Sequence, residues 1–368
     1  MKKLGLYLHI PFCDGKCNYC DFYSQKASDN TMDIYVESII NHIEQQSRCF
    51  SNYSIDTIYF GGGTPSLLGE RRLIKILDSL NANFNLDNPE ITLEVNPTKA
   101  KMLDFKALKT SGFNRLSIGT QSANDNELKI LGRRHSLSDI KSTINNAKLG
   151  GFNNISLDLM LAIPEQTTES LQRSINFCAE QEVDHISAYL LKIEKGTPFY
   201  NKKSSLNLPN EDRASELYLQ AINELRKIGF NQYEISNFSK PNMESKHNLK
   251  YWNCDEYLGI GPSAHSFINK KRFYYKNSLS SFINRDRPII DEENAEIIEE
   301  YSMLQLRLTH GICENDFRDK LGIPIPEKFY HNAKLFKNTG LVNVTADSIS
   351  LTPNGFLVSN ELISRIIL

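Results

Sequence analysis

The chain has 368 residues, of which 40% are hydrophobic and 23% charged, and a formal net charge of −2. That length can bury a core without disulfides or metals and suggests two or three domains. The near-neutral charge excludes a global basic field, so no nucleic-acid partner is expected.

The start, MKKLGLYLHIPFCDGKC, has basic residues and an apolar run, but His9 and Pro11 break that run and no small-residue cleavage site follows. No segment approaches the ~20 apolar residues of a membrane span. Of seven cysteines, Cys13, Cys17 and Cys20 are clustered, and Cys49, Cys178, Cys254 and Cys313 are scattered. This is a poor disulfide framework and points to a reducing compartment. A cytoplasmic protein is expected, with peripheral membrane contact left open.

Residues 4–10 (LGLYLHI) read as a strand that runs into the cysteine cluster. Residues 31–46 carry apolar residues at helical spacing. Residues 56–60 (DTIYF) form a strand leading into GGGTPS, and 70–80 a helix. A strand at 90–95 and a helix at 101–111 follow, then strands at 115–119, 154–161 and 185–191, each trailed by a helical segment. Such alternation argues for parallel β-α units, because parallel strands need long crossovers. Gly-Phe-Asn recurs at 112–114, 151–153 and 229–231, each time between a helix and a strand. A glycine there suits a left-handed helix end. The expected fold class is α/β: a partial (β/α)6 barrel over residues 1–238.

Residues 239–368 read as a second, smaller and mostly helical domain. It is rich in turn formers and aromatics up to about 266, then helical over 293–308. Its end reads as a strand pair and a helix capped near Thr352, a winged-helix-like unit. It lacks a clear basic face, so a substrate cover or protein contact is expected of it.

The cluster CDGKCNYC has the spacing C-x3-C-x2-C. Thiolates bind soft metals. Zinc and an iron–sulfur cluster both remain open on spacing alone: zinc takes four ligands in structural sites, and a [4Fe–4S] cluster normally takes four cysteines. Three cysteines would leave one iron open. The cluster follows the carboxyl end of a strand, where β/α barrels keep their chemistry. The next strand ends in glycines, which let backbone approach a small ligand.

C-x3-C-x2-C followed some forty residues on by GGGTP resembles the radical S-adenosylmethionine (SAM) superfamily. The resemblance implies a [4Fe–4S] cluster whose open iron is chelated by SAM, and one-electron cleavage of the SAM sulfonium. YLHIPFC, GGGTPS, LEVNP, GTQS, LGRRH and SLDLMLAIPEQT further resemble the oxygen-independent coproporphyrinogen III oxidases and their close relatives, the HemW haem chaperones, over nearly the whole chain. By this resemblance Cys13, Cys17 and Cys20 hold the cluster. Tyr7 and Tyr19 lie against cluster and nucleotide. Gly62, Gly63 and Thr64 meet the methionine part of SAM, and Glu94 binds it through its carboxylate. Gln121, Arg133 and Asp158 match polar residues of the same site. Taken singly, Glu94 and Asp158 read equally well as helix caps and Arg133 as a surface cation.

Three departures separate the chain from the oxidases. Phe22 stands where they carry a further cysteine. Their long N-terminal extension has no counterpart before the first strand. Residues 247–252 read HNLKYW, the H-N-x-x-Y-W signature of HemW. Imidazole is a common haem ligand, and Tyr251 and Trp252 offer flat apolar surface. His247, Tyr251 and Trp252 are therefore haem-binding candidates; the structural alternative is a loop that packs its aromatics and hydrogen-bonds His247. Cys254, His265 and His9 are secondary candidates. The implied function is a haem chaperone that serves acceptor haemoproteins, membrane-bound ones among them, and draws on an electron donor. The rival is oxidative decarboxylation of coproporphyrinogen III. A third reading is a cluster-bearing regulatory protein without turnover. Cys17→Ala is expected to abolish the brown chromophore of anaerobically reconstituted protein. Unchanged iron and sulfide content would refute the cluster assignment.

Overall fold

The computed structural model describes residues 1–100 and 103–368. Six strands follow one another in the sheet in chain order, all parallel: β1 (Lys2–Ile10), β2 (Tyr53–Gly62), β3 (Asn85–Val95), β4 (Arg115–Gln121), β5 (Asn154–Leu161) and β6 (His185–Leu190). Helices follow each of them, as the alternation predicts. Beyond β6 the sheet adds β8 (Asn237–Ser239), antiparallel to it, and then β7 (Asn231–Gln232). On the other side β9 (Tyr257–Ile260) pairs in parallel with β1, and β10 (His265–Ile268), β11 (Lys271–Tyr274) and β12 (Ile289–Glu292) continue antiparallel. Among the described residues the sheet has twelve strands with β12 and β7 at its ends, so the barrel is open.

Successive side chains of a strand point to opposite faces. On β1 the leucines at 4, 6 and 8 and Ile10 are fully buried, on the face covered by helices. The same face carries Leu93 on β3, Leu116 and Ile118 on β4, Leu157 on β5 and Ile186 on β6, all fully buried. The other face carries Tyr7, Tyr59, Glu94, Ser117, Asp158 and Ser187 at the intervening positions. The helices take the hydrophobic burial and the barrel interior is left polar. Among the Gly-Phe-Asn repeats, the three phenylalanines at 113, 152 and 230 are 0%, 0% and 2% exposed, which explains the repeat as a packing device under each new strand. Their glycines all have positive φ.

Element ends differ modestly from expectation. The helix expected from 101 spans Phe105–Ser111, and Asp104 caps it by accepting from the Ala107 N–H at 2.9 Å; residues 101 and 102 lie outside the described residues. The helix expected over 293–308 spans Ile297–Gln305. The division expected at 238/239 runs through β8, and β9–β12 belong to the barrel sheet. A strand from beyond that point pairs with β1 because β1 is otherwise an unpaired parallel edge. A separate three-stranded sheet follows, order β13 (Ile312–Cys313), β15 (Ser348–Leu351), β14 (Val342–Val344). With helices Glu314–Leu321 and Glu327–Lys334 it makes the winged-helix-like unit. Thr352 caps the next helix through the Gly355 N–H, as the sequence suggests.

Helix Lys246–Trp252 closes the end of the barrel opposite the cysteine loop. Glu90, a buried carboxylate on β3, accepts the backbone N–H groups of Lys246 and His247 at 3.3 and 3.1 Å. Negative charge at a helix N-terminus is favourable, more so when desolvated. Lys250 pairs with Asp56 at 2.8 Å, with 6% and 20% of the two side chains exposed. Glu90→Ala is expected to cost about 2–3 kcal/mol, the worth of hydrogen bonds to a charged group, and Glu90→Gln less. Thermal melting checks this; equal melting temperatures for wild type and Glu90→Ala would overturn the role.

Candidate functional site

The cysteine loop is closed at its base. The Cys13 N–H donates to the Gln25 carbonyl at 3.0 Å and the Gln25 N–H to the Pro11 carbonyl at 2.9 Å. Asn18, which no sequence motif singles out, ties the loop to the barrel. Its backbone N–H and side-chain amide donate to the Leu131 and Ile130 carbonyls at 2.9 and 2.8 Å, and its carbonyl accepts from the Phe199 N–H at 2.9 Å. The glycine turn is fixed from the same side. The Gly63 N–H donates to the Ile10 carbonyl at 2.9 Å, and a Cβ there would stand 2.6 Å from the Phe12 carbonyl oxygen. Glycine at 63 is thus required by the approach of two backbones as much as by any ligand.

Loop and turn open onto one cavity of about 530 Å³. Of the expected site residues, Cys13, Cys17, Cys20, Tyr19, Gly62, Gly63, Thr64, Glu94, Gln121, Arg133 and Asp158 all line it. Thr64 donates its hydroxyl to the Cys13 sulfur at 3.5 Å. Arg133 donates to the Gly119 carbonyl at 2.6 Å and to the Cys17 sulfur at 3.6 Å, so it is an interior cation and not a surface one. Tyr189 donates to the Gln121 side-chain oxygen at 2.8 Å. Glu94 caps no helix: it accepts from the Tyr59 hydroxyl at 2.9 Å and the Gly62 N–H at 3.2 Å. Asp158 accepts from Ser117 at 3.0 Å. Burial, and then the neighbouring Asp158, push the Glu94 carboxyl up to about 7 despite those two bonds. Burial pushes Asp158 up to about 6, against the pull of Ser117, Arg115 and Arg133.

The radical SAM superfamily profile matches residues 7–178, and the HemN C-terminal domain profile residues 293–358. A Bacillus subtilis protein described as "Heme chaperone HemW" is 35% identical over 97% of this chain and 97% of its own length. The protein of that description from Lactococcus lactis is 32% identical over 100% and 98%. The chain belongs to the HemW family of radical SAM proteins. The crystallised coproporphyrinogen III oxidase HemN of Escherichia coli shares the fold, with a TM-score of 0.84 at 21% identity over 100% of this chain and 90% of that one.

A HemW-family chain is expected to carry its cluster on the three cysteines, and they fit the group. All three are free thiols, half-buried, on one loop facing the cavity. Among the described residues no three His, Cys, Asp or Glu side chains converge on a single-ion site. Three thiols on one loop facing one cavity suit a multi-iron cluster, in which each cysteine takes its own iron.

The HemW signature is placed differently. His247, Tyr251 and Trp252 do not line the cavity; Asn248 does. The His247 ring is fully buried. Its Nδ1 is bonded to the Thr57 hydroxyl at 2.8 Å and its Nε2 to the Tyr251 hydroxyl at 2.9 Å. It stacks on Tyr59 at 5.2 Å and on Tyr7 at 6.5 Å. Burial, then Lys250 and Arg115, push its pKa down to about 3, so the ring is neutral. Haem ligation by His247 does not fit this arrangement, because both ring nitrogens are engaged inside the barrel. Tyr7 likewise belongs to this inner stack and bonds His9 at 3.0 Å, and His9 is held by the Tyr23 carbonyl at 3.0 Å. Trp252 accepts a hydrogen bond from Gln305 through its carbonyl. Of the secondary candidates, Cys254 is a buried core thiol pushed up to about 12 by burial. His265 stacks on Tyr274 within the β10–β11 hairpin and does not line the cavity. Among the described residues no helix is long and apolar enough to cross a membrane.

The raised Glu94 pKa makes the cluster-free protein pH-sensitive. The fold binds this proton more tightly than the unfolded chain does, so the stabilisation is complete below the ordinary carboxylate pKa of about 4.3 and is lost as pH rises through about 7. Glu94→Gln can keep the Gly62 N–H bond through its amide oxygen while its NH2 donates to the Tyr59 hydroxyl, reversing that bond, and it has no such loss. The melting temperature of wild type relative to Glu94→Gln is expected to fall between pH 5 and 8. A constant difference would contradict the buried-carboxyl assignment.

Proposed function

We propose that this protein is a haem chaperone of the HemW type, which carries a [4Fe–4S] cluster and SAM, binds haem and delivers it to acceptor haemoproteins. The observation that carries the reading is the single cavity that joins the three-thiol loop, the glycine turn and Glu94. Cys13, Cys17 and Cys20 hold the cluster. Gly62, Gly63 and Thr64 offer short-range backbone and hydroxyl contacts to SAM beside it. Glu94 gives up its proton to face the cationic end of SAM, with Tyr59 and the Gly62 N–H holding the carboxylate in place. Gln121, Arg133 and Asp158 complete the polar wall, Tyr19 packs beneath the loop, and Tyr7 supports Tyr59 from within. When bound, cluster and SAM supply one-electron chemistry, with electrons from an external donor.

For haem, the rim is more suitable than His247. Phe22 is 63% exposed and Leu190 38%, and both line the cavity together with Leu191, Lys16 and Lys192. Large apolar side chains at a cavity mouth, flanked by lysines, suit a flat macrocycle with carboxylate substituents. The description of the relatives as haem chaperones supports haem binding and delivery; membrane-bound acceptors approached from the cytoplasm are part of the same proposal.

Two measurements on anaerobically reconstituted protein test the reading. Haem titration is expected to give a saturable change in the haem absorption band. Incubation with coproporphyrinogen III, SAM and a reductant is expected to give no protoporphyrinogen IX. Product formation at a sustained rate would replace the chaperone by the oxidase, and absence of haem binding would remove haem from the function.

A further inference from the structure

Helix Ile297–Gln305 packs beside helix Ser359–Ile367, and a groove of about 440 Å³ runs between them. Its floor is apolar: Met303 of the first helix, Ile363 and Ile367 of the second, and Leu368 just beyond it. Ile363 and Ile367 belong to the core, but Met303 is 38% and Leu368 76% exposed. Single exposed hydrophobic residues are ordinary. Two that line one groove, over a floor of two isoleucines, mark a contact surface.

The rim is acidic. Glu292, Glu296, Glu299 and Glu300 line the same groove. Glu292 and Glu300 share one cation, Arg272, which stands 3.7 Å from Glu292. Glu296 and Glu299 are exposed and form no ion pair among the described residues. Arg307 also lines the groove, and it donates to Asn360 at 3.0 Å. A helix dipole favours acidic residues in a first turn, which accounts for Glu299 and Glu300. It does not account for Glu292, which comes from β12, or for the apolar floor beside them. Gln305, at the end of the first helix, donates to the Trp252 carbonyl and the Asn253 side chain at 3.0 Å each, so the groove is fixed to the barrel.

We propose that this groove docks an amphipathic helix of a partner protein, with large aliphatic side chains on one face and lysine or arginine along its flanks. Each helix of the groove has 9 residues, a length of about 13 Å. That length takes the i, i+3, i+4 and i+7 anchors of a partner helix, which span about 10 Å. The apolar anchors supply affinity, and the unpaired carboxylates select basic flanks. The four carboxylates also repel the anionic headgroups of a lipid surface, so a protein segment is the occupant. None of these side chains lines the cysteine cavity, so the inference does not rest on the proposed function.

Fluorescence anisotropy on the reconstituted protein tests the groove with three labelled peptides. One is a leucine–lysine peptide with leucines at those four positions. The second replaces its lysines by glutamates, and the third its leucines by serines. Wild type is expected to bind the leucine–lysine peptide at least about tenfold more tightly than either of the others, and less tightly as salt rises. Glu296→Lys/Glu299→Lys is expected to reverse the preference toward the leucine–glutamate peptide. No saturable binding by wild type, equal binding of the leucine–lysine and serine–lysine peptides, or an unchanged preference in the variant overturns the proposal. Co-sedimentation of wild type with phosphatidylserine vesicles that Met303→Asp abolishes would assign the groove to lipid and overturn it as well. Both glutamates are exposed, and thermal melting checks that the variant folds. If it does not, the preference of wild type among the three peptides decides.

Discussion

A barrel whose interior is polar must find a partner for every buried donor and acceptor, and the rest of this structure follows from that constraint. The strands send their leucines and isoleucines outward to the helices and turn Tyr, Glu, Ser, Asp and His inward. TIM barrels fill the same space with branched apolar side chains. Here the interior is instead built from hydrogen bonds between strands, Tyr59 to Glu94, Ser117 to Asp158 and Ser156 to His185, and from strand to helix, Thr57 to His247. Helix Lys246–Trp252 is part of that interior. It brings His247 to Thr57 and takes its own N-terminal partners from Glu90. The helix thereby covers the barrel end opposite the cysteine loop.

The chemistry of the open end is legible in the sequence because it is local. Three thiols within eight residues and a glycine turn must lie on two loops, whatever the fold around them. The alternation of strands and helices is legible for a similar reason, since each β-α unit announces itself within about forty residues. Three features are harder to read. The pairing of β9 with β1 joins residues some 250 positions apart, and no periodicity reports it. Asn18 acts through its backbone and amide, so nothing distinguishes it from any loop asparagine. Arg115 does leave a signal: in RLSIGTQ the apolar residues fall at 116 and 118, which turns 115, 117, 119 and 121 to the opposite face. An arginine on the inward face of a central strand is an anomaly that this alternation alone displays.

The HNLKYW stretch shows how a family signature can be right about membership and silent about role. Histidine, tyrosine and tryptophan together suggest a haem site. Yet the helix they form is needed for closure, and closure alone demands His247, which bonds two hydroxyls at once, and Tyr251, which completes that bond. Asn248, chemically the least suggestive of the six, is the one that reaches the cavity. A buried neutral imidazole with both nitrogens engaged is a structural element of the barrel, and iron would have to displace Thr57 or Tyr251 to reach it.

The two interior arginines settle what is complete in this site and what is not. Arg133, near the loop end, donates to the Gly119 carbonyl and the Cys17 sulfur, so the protein itself satisfies it. Its position is fixed before any ligand arrives, which suits a group that shapes the surroundings of the thiols. Arg115, at the closed end, has the same charge and deeper burial but no such partners. Glu94 and Asp158 lie between them, each held by hydroxyl donors and each pushed toward the protonated form. Moving either carboxylate onto Arg115 would strip it of those donors and leave Tyr59 or Ser117 unpaired in turn. The cavity is therefore polarised: satisfied by the chain at the cysteine end, and left at the other with a buried cation whose Nε has no hydrogen-bond partner.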